Sequence, residues 1–288
     1  MNPTKLGTRT GGRLLWYEFS PLPFRVPKGL PCHREDVDGV IVIEHHRDDD
    51  AYPYGLRLEA MVGTQSELNA AKATASSLDK QLRRVWPYIA GAPLTIRPSR
   101  MSVSVDGPFG WRTNHGELRQ KLPGAHVGFT VGKSVRDFGI TLVWMPLKPV
   151  LEALPAFRAA DPMTAALIDL HLHAWDNYQH SVEVFLFAKT LELATALLPG
   201  VTMAHKQKHL PQPFAVAMTN DLSWLKQIAN TRLDARHAVQ KSRRGAPQLH
   251  ARMSREERRG FIDDADIAIR GVISGRLHVD LNTIRRHE

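Results

Sequence analysis

Four side chains that could act on a phosphodiester fall within six residues of one another. They are Arg232, Asp234, Arg236 and His237. A histidine that titrates near neutral pH can move the proton of an RNA 2′-hydroxyl or of the leaving 5′-oxygen. An arginine can hold the phosphate through its fork of donors while negative charge builds in the transition state. The residue types therefore predict RNA cleavage with His237 as general acid and base, Arg232 as phosphate ligand, and Asp234 and Arg236 in support.

The spacing of Arg232 and His237 is not specific by itself. An arginine followed by a histidine at this kind of gap is expected roughly four times by chance in a chain of this composition. The pairs Arg119–His126 and Arg243–His250 show a similar arrangement. The alternative interpretation is a solvated helix end, where the macrodipole favours basic residues.

The distribution of charge supports a polyanionic ligand. The formal net charge is +9, and residues 201–260 contain 12 Lys and Arg against 4 Asp and Glu, a net of +8. Basic residues in this region would attract RNA phosphates. The predicted RNA-binding residues are Lys206, Lys208, Lys241, Arg243 and Arg244.

The remaining composition predicts a soluble cytoplasmic protein. Cys32 is the single cysteine, so neither an internal disulfide nor a cysteine-based zinc site is expected. The first 13 residues lack the apolar stretch of a signal peptide. No run approaches the roughly 18 apolar residues that a membrane span requires, so no membrane partner is expected.

The first half of the chain has the pattern of strands. Short segments rich in valine, isoleucine and aromatic residues alternate with Pro, Gly and Asp. The predicted strands are Leu14–Phe19, Val40–His45, Tyr54–Val62, Met101–Val105, Val127–Val131 and Gly139–Trp144. One helix follows a capping box at Thr64–Glu67 and is expected to end near Trp86 and Pro87.

The second half has the pattern of helices, after a proline-rich boundary at residues 146–162. The start and stop signals predict helices from Asp161 and Pro162 to about Trp175, from Tyr178 to Leu198, from Thr219 and Asn220 to about Lys241, and from the Ser254–Glu257 capping box to Gly275. The second of these is apolar nearly all round and is expected to be buried. The fold class is therefore α+β, with a β-rich α+β domain over residues 1–150 and an all-α helical bundle over residues 160–288.

Residues 163–275 resemble a HEPN domain (higher eukaryotes and prokaryotes nucleotide-binding), in particular its Apea-like, abortive-infection branch. The resemblance rests on Phe185–Glu192, on Asn230, Thr231 and Arg232 followed by His237, and on Arg255–Ile273, which is similar to the closing helix of such domains. It covers about 40% of the chain. The family usually has a polar residue directly after the arginine, where this sequence has Leu233.

The resemblance implies a metal-independent endoribonuclease that leaves a cyclic phosphate and acts as a toxin or in phage defence. It also implies a homodimer that pairs two such motifs in a composite site, and an antitoxin or other regulatory partner. Neither a metal nor a cofactor is required. The RNA could be tRNA, mRNA or rRNA. Residues 1–150 would have a sensing or regulatory role. Leu233 leaves open a non-catalytic module that binds RNA or forms dimers.

Two histidine clusters suggest a metal site instead. His45 and His46 are followed by three aspartates at residues 48–50, and these are ligand types for zinc or magnesium in a metal hydrolase. A charged, solvated turn is the simpler interpretation of that segment. His171 and His173 are two residues apart, and on a helix their side chains would point about 200° apart, which suits a core edge or an interface better than a metal.

Overall fold

The structure is a computed structural model, and it describes residues 12–19, 34–46, 54–62, 65–90, 100–104, 147–177, 182–232, 234–235, 239–240 and 248–281. The chain divides into two compact units. One contains residues 1–83 and 94–151, and the other contains residues 84–93 and 152–288. The first contains a β-sheet and the second is mainly helical, so the fold class is α+β.

The five-stranded sheet of the first unit is antiparallel throughout. Its strands are β1 (Gly12–Phe19), β2 (Arg34–Val37), β3 (Val40–His46), β4 (Tyr54–Val62) and β5 (Arg100–Ser104), in the spatial order β2-β3-β4-β1-β5. Four of them confirm predicted strands. The predicted strands at 127–131 and 139–144 lie outside the described residues.

Strand β2 was not predicted, because its sequence Arg-Glu-Asp-Val lacks an apolar alternation. Asp38 and Gly39 connect β2 to β3, and both have positive φ, at 56° and 80°. An Asp-Gly pair in this conformation is the preferred two-residue hairpin turn because its twist matches that of the flanking strands. The side chain of Asp36 accepts a hydrogen bond from the N–H of Gly39 at 2.9 Å. This dipeptide was a signal from which β2 could have been predicted.

Helix α1 (Gln65–Ala90) confirms the predicted helix but continues past the expected end at Pro87. Ala75, Leu78, Leu82 and Val85, which recur at helical spacing, are buried, and Ala71 is half-buried. Proline lacks an N–H and usually ends a helix. Here the helix continues for another three residues, and two carbonyls of its last turn, those of Pro87 and Tyr88, accept from Arg270.

The helical unit is built around its longest helix. The helices after α1 are α2 (Leu147–Arg158), α3 (Pro162–Asp176), α4 (Glu183–Ala196), α5 (Met203–Gln207), α6 (Gln212–Ala217), α7 (Leu222–Thr231) and α8 (Arg255–Leu277). Helix α2 lies in the proline-rich stretch that was interpreted as a boundary. Helix α8 packs against α3, α4, α6 and α7, and every residue from 261 to 274 is buried. Of the helices in the described part of the chain, none is long and apolar enough to cross a membrane.

Two cap predictions are confirmed. Asp161 is the N-cap of α3, where its carboxylate accepts from the N–H groups of Met163 and Thr164. Ser254 and Glu257 form the predicted capping box of α8.

The predicted end of α8 at Gly275 is wrong, because the helix runs to Leu277. It ends at His278, which has left-handed backbone angles (φ 54°, ψ 44°).

The prediction that α4 is buried is confirmed for only one face of the helix. Phe185 is 41% exposed, and Val182, directly before the helix, is 47% exposed. The residues of α4 that face the core include Val184, Phe187 and Leu191. Apolar side chains on both faces made the inward face impossible to identify from composition.

Helix α7 differs most from its prediction. It begins one residue later than expected, because Asp221 is the N-cap and the N–H groups of Thr219 and Asn220 donate to the buried carboxylate of Asp264. It ends at Thr231, about ten residues before the predicted end at Lys241. Its buried residues Leu222, Leu225, Ile228 and Ala229 form one stripe, as their helical spacing predicts.

The loop between α5 and α6 lies very close to α8. Leu210 and Phe214 are buried, and both approach Gly271. A Cβ atom added to Gly271 would lie 3.0 Å from the Cβ of Phe214, closer than ordinary packing allows. One turn later, a Cβ on Gly275 would make an ordinary 3.6 Å contact with Pro211. Only the first glycine is required by the packing.

Candidate functional site

Arg232 stands at the end of α7 rather than within a helix. Its backbone is extended (φ −115°, ψ 138°), although its N–H still donates to the carbonyl of Ile228. The prediction that the Arg232–His237 segment is carried on a helix is therefore wrong at its first residue. The helical pattern continues in the sequence, but contacts with α8 hold the chain in another conformation.

The guanidinium of Arg232 is paired with a carboxylate of α8. Its Nη2 lies 2.5 Å from Oε1 of Glu257, and the two side chains are 28% and 29% exposed. The hydrogen bond to Glu257 raises the pKa of Arg232, and the same bond lowers the pKa of Glu257. The Nε–H of Arg232 is buried, and no described residue accepts from it. Arg232 is thus held in a fixed position with part of its donor fork unused.

Asp234 is bound to the same region of the chain. Its Oδ2 accepts a hydrogen bond from the N–H of Met253 at 3.0 Å, directly before the N-cap Ser254. Ala235, the next residue, is buried. Since Arg232 is bound at Glu257 and Asp234 at Met253, the first part of the segment is fastened to the start of α8.

The structure does not describe the other residues of the predicted site. His237, Arg236, Lys241, Arg243 and Arg244 lie outside the described residues. β6 (Val239–Gln240), between His237 and Lys241 in the sequence, pairs with β7 (Gln248–Leu249), which follows Arg244, in a short antiparallel ladder. Of the four predicted catalytic residues, the structure therefore brings Arg232 and Asp234 to one place, and the positions of Arg236 and His237 stay predictions.

The two lysines of the predicted RNA-binding set that the structure describes, Lys206 and Lys208, differ from each other. The ammonium group of Lys206 donates to the carbonyl of Thr195, near the end of α4. This carbonyl also accepts from the N–H of Leu198 at 3.4 Å, and a cation near the C-terminal end of a helix adds a favourable interaction with its carbonyls. Lys208 is exposed at the end of α5. The geometry thus assigns Lys206 a structural contact and leaves Lys208 accessible to an anion.

A buried polar cluster is the feature that the sequence analysis missed. Tyr88, His171, Asp266 and Arg270 are each 2% exposed or less, and Trp175 is 6% exposed. They come from α1, α3 and α8. Burial raises the pKa of the Tyr88 hydroxyl well above its ordinary value.

Hydrogen bonds connect the members of this cluster. Nε2 of His171 donates to Oδ1 of Asp266 at 2.8 Å, since a carboxylate only accepts. Nε of Arg270 donates to Oδ2 of the same carboxylate at 3.0 Å, and Nε1 of Trp175 donates to Oδ1 at 2.6 Å. The hydroxyl of Tyr88 lies 3.1 Å from Nδ1 of His171.

The cluster has the residue types of an acid–base site, but its burial keeps any substrate out. Buried charges are tolerated when they are paired and hydrogen-bonded. The cluster joins the end of α1 to α3 and α8, so its role is to hold the helical unit together. The sequence signal was Asp266 and Arg270, which lie four residues apart on α8, the spacing at which two helical side chains meet.

The histidine clusters do not provide a metal site in the part of the chain that is described, where no group of three or more suitable ligands occurs. His171 is buried and His173 is exposed, as expected for two helical residues that point apart. His45 and His46 end β3, paired with Gly55 and Tyr54 of β4. Asp48, Asp49 and Asp50 lie outside the described residues.

Comparisons of the chain with protein families, with curated proteins and with solved structures gave no match.

Proposed function

We propose that the chain is an RNA-directed protein of the HEPN type and that its helical unit cleaves RNA without a metal at the Arg232–His237 segment. The observation that carries this proposal is the attachment of Arg232 and Asp234 to the start of α8. A phosphate ligand must be held in place before the reaction, because preorganised donors stabilise the transition state most. Arg232 meets this requirement and remains partly exposed.

The proposed chemistry divides the work between two side chains. Arg232 holds the scissile phosphate and stabilises its developing charge. His237 removes the proton of the 2′-hydroxyl and returns one to the leaving 5′-oxygen, which gives a cyclic phosphate. Arg236 widens the anion site, and Asp234 keeps the segment in position through Met253. A dimer would pair two such segments.

Exposed basic residues near this segment support an RNA ligand. Arg252 and Arg255 flank Met253 and Ser254 in the sequence, and both are exposed. Neither forms an ion pair with a described residue. Unpaired arginines at the surface attract phosphates and release counterions when they bind them. Lys241, Arg243 and Arg244 would extend this basic surface, and residues 1–150 would regulate it.

The test is an RNA cleavage assay with the purified full chain. We expect wild-type protein to cut single-stranded RNA, and His237→Ala and Arg232→Ala to reduce the rate at least about 100-fold, in line with removal of a general base or of an oxyanion donor. His209→Ala is the matched control, since His209 is exposed and lies in the basic tract before α6. Equal rates for the His237 and His209 variants would contradict the proposed site.

A second candidate function is RNA binding without cleavage, and the Arg232–Glu257 ion pair favours it. A guanidinium that is already paired with a carboxylate is less available to a phosphate. The helical unit would then hold RNA or a second copy of the chain. Protein that shifts RNA in a gel but leaves it intact at every pH and salt concentration would select this function over the nuclease.

A further inference from the structure

Glu257 places a negative charge directly beside Arg232, the residue that would bind the RNA phosphate. Their closest atoms, Nη2 and Oε1, are 2.5 Å apart, and both side chains are partly exposed. A phosphate that approaches Arg232 therefore meets the carboxylate of Glu257 as well. The two anions compete for one guanidinium.

Glu257 is held by a second set of bonds that does not involve Arg232. Its Oε2 accepts from the N–H of Ser254 at 3.1 Å, and its own N–H donates to Oγ of Ser254 at 3.1 Å. This is the capping box of α8. The carboxylate thus has a fixed place at the helix start whether or not Arg232 is bound to it.

Arg232 contributes only a small part of its donors to this pair. A guanidinium has five N–H donors, and the contact with Glu257 uses Nη2. The Nε–H is buried and has no acceptor among the described residues. A phosphate, with several acceptor oxygens, can take two of the Nη donors at once, whereas Glu257 has one oxygen committed to Ser254.

We infer that Glu257 is a positioning residue that orients Arg232 and competes with the RNA phosphate for it, and thereby sets the affinity for RNA. The inference rests on the proposed function. The ion pair is partly exposed, so it contributes less stability than a buried pair would, and a phosphate can displace the carboxylate. Glu257 keeps its hydrogen bonds with Ser254, so the capping box of α8 stays intact.

Two glutamates in the first turn of α8 provide a matched experiment. Glu257→Gln removes the charge while glutamine retains the ability to complete a capping box. Glu256→Gln makes the same change in net charge at the neighbouring position, which is exposed and forms no bond with a described side chain. The probe is a short fluorescent single-stranded RNA with 2′-O-methyl riboses, which can bind but cannot be cut. Binding to the full chain is measured by anisotropy over a range of salt concentrations.

We expect Glu257→Gln to bind the probe about threefold to tenfold more tightly than Glu256→Gln does. We also expect the plot of log binding constant against log salt concentration to be steeper for Glu257→Gln by about 0.7. This is the change expected for one additional phosphate contact with a single strand. A merely structural role at the helix start would not change this slope. In an Arg232→Gln background the difference between the two glutamate variants should disappear.

The outcomes separate this inference from the function on which it rests. If wild-type protein binds the probe and the two glutamate variants bind it equally, the inference is wrong and the proposed RNA binding stands. If the difference in RNA affinity between the two glutamate variants persists in the Arg232→Gln background, Glu257 acts on RNA directly. The proposed competition for Arg232 is then also wrong. If neither the wild type nor any variant binds RNA, both proposals fail.

Discussion

Nη2 of Arg270 donates a hydrogen bond to the main-chain carbonyl of Pro87, 3.1 Å away, although the two residues are 183 positions apart in the chain. The same guanidinium binds Asp266 through Nε and stacks over the ring of Trp175 at 4.7 Å. Arg270 therefore donates hydrogen bonds both to a carbonyl at the end of α1 and to the buried carboxylate of Asp266.

Replacing Arg270 with methionine is expected to destabilise the protein by about 3–5 kcal/mol, the usual cost of removing one partner of a buried ion pair. Methionine fills part of the volume but leaves Asp266 and the carbonyl of Pro87 without this donor. Urea denaturation measures the change. Arg255→Met is the control, because Arg255 is exposed on the same helix and should change the stability by less than about 0.5 kcal/mol. A similar loss of unfolding free energy in both variants would show that the buried hydrogen bonds of Arg270 do not stabilise the protein.

Two glycines one turn apart on α8 should respond oppositely to alanine. Gly271→Ala brings a Cβ to 3.0 Å from Phe214, so we expect a loss of about 1–3 kcal/mol from overpacking. Gly275→Ala makes only an ordinary contact with Pro211, and it should leave the stability unchanged or raise it by up to about 1 kcal/mol through helix propensity. Thermal unfolding of the two variants decides this. A stable Gly271→Ala protein would mean that α6 does not approach α8 so closely.

Asp161 predicts a specific dependence of stability on pH. A hydrogen bond from the Thr164 hydroxyl, and then one from Arg276, hold the pKa of its carboxyl well below the ordinary value of 3.8. The stability that the ionised group contributes is therefore fully present above that ordinary value, and it is lost as the pH falls through the lower folded-state pKa. Asp161→Asn keeps a good N-cap but removes the charge.

We expect the free energy of unfolding of Asp161→Asn to fall less steeply below pH 4 than that of the wild type, as measured by urea denaturation at a series of pH values. Asp176→Asn, an exposed change at the other end of α3, serves as the control. Parallel curves for Asp161→Asn and wild type would contradict the assigned role of this carboxylate.

Removal of metals distinguishes the proposed chemistry from that of a metal hydrolase. RNA cleavage that depends on Arg232 and His237 should keep its full rate in EDTA, because the proton transfers and the charge stabilisation come from side chains. A hydrolase built on His45, His46 and the aspartates that follow would lose activity and regain it with zinc or magnesium. Elemental analysis of the purified protein complements the assay.

Helices and strands whose boundaries are set by residues close in the sequence could be predicted from the sequence. The alternation in β4 and the capping box of α8 identified both elements because the relevant contacts lie within the element or in its first turn. The turn at Asp38 and Gly39 carried an equally local signal for β2. Elements of this kind can be read from the sequence.

Features that depend on distant residues could not be predicted in the same way. The helical pattern continues past Thr231, but Arg232 and Asp234 bind residues about 20 positions further along, and these bonds end α7. The carbonyls of Pro87 and Tyr88 at the end of α1 accept from Arg270, which is far along the chain. His171 was noticed for its spacing to His173, whereas its actual partners are Tyr88 and Asp266 from other helices. For the site, the residue types suggested the chemistry, but the pairing of Arg232 with Glu257 required the structure.

The burial of α8 from Phe261 to Ser274 has a consequence for synthesis of the protein. The faces of α3, α4, α6 and α7 that this helix covers are made first, and they stay uncovered until residues up to 277 have left the ribosome. Domains fold as units during translation, and nascent chains with uncovered apolar faces are prone to aggregation. The helical unit should therefore fold late and in one step, and a chain stopped before α8 should depend on chaperones to remain in solution.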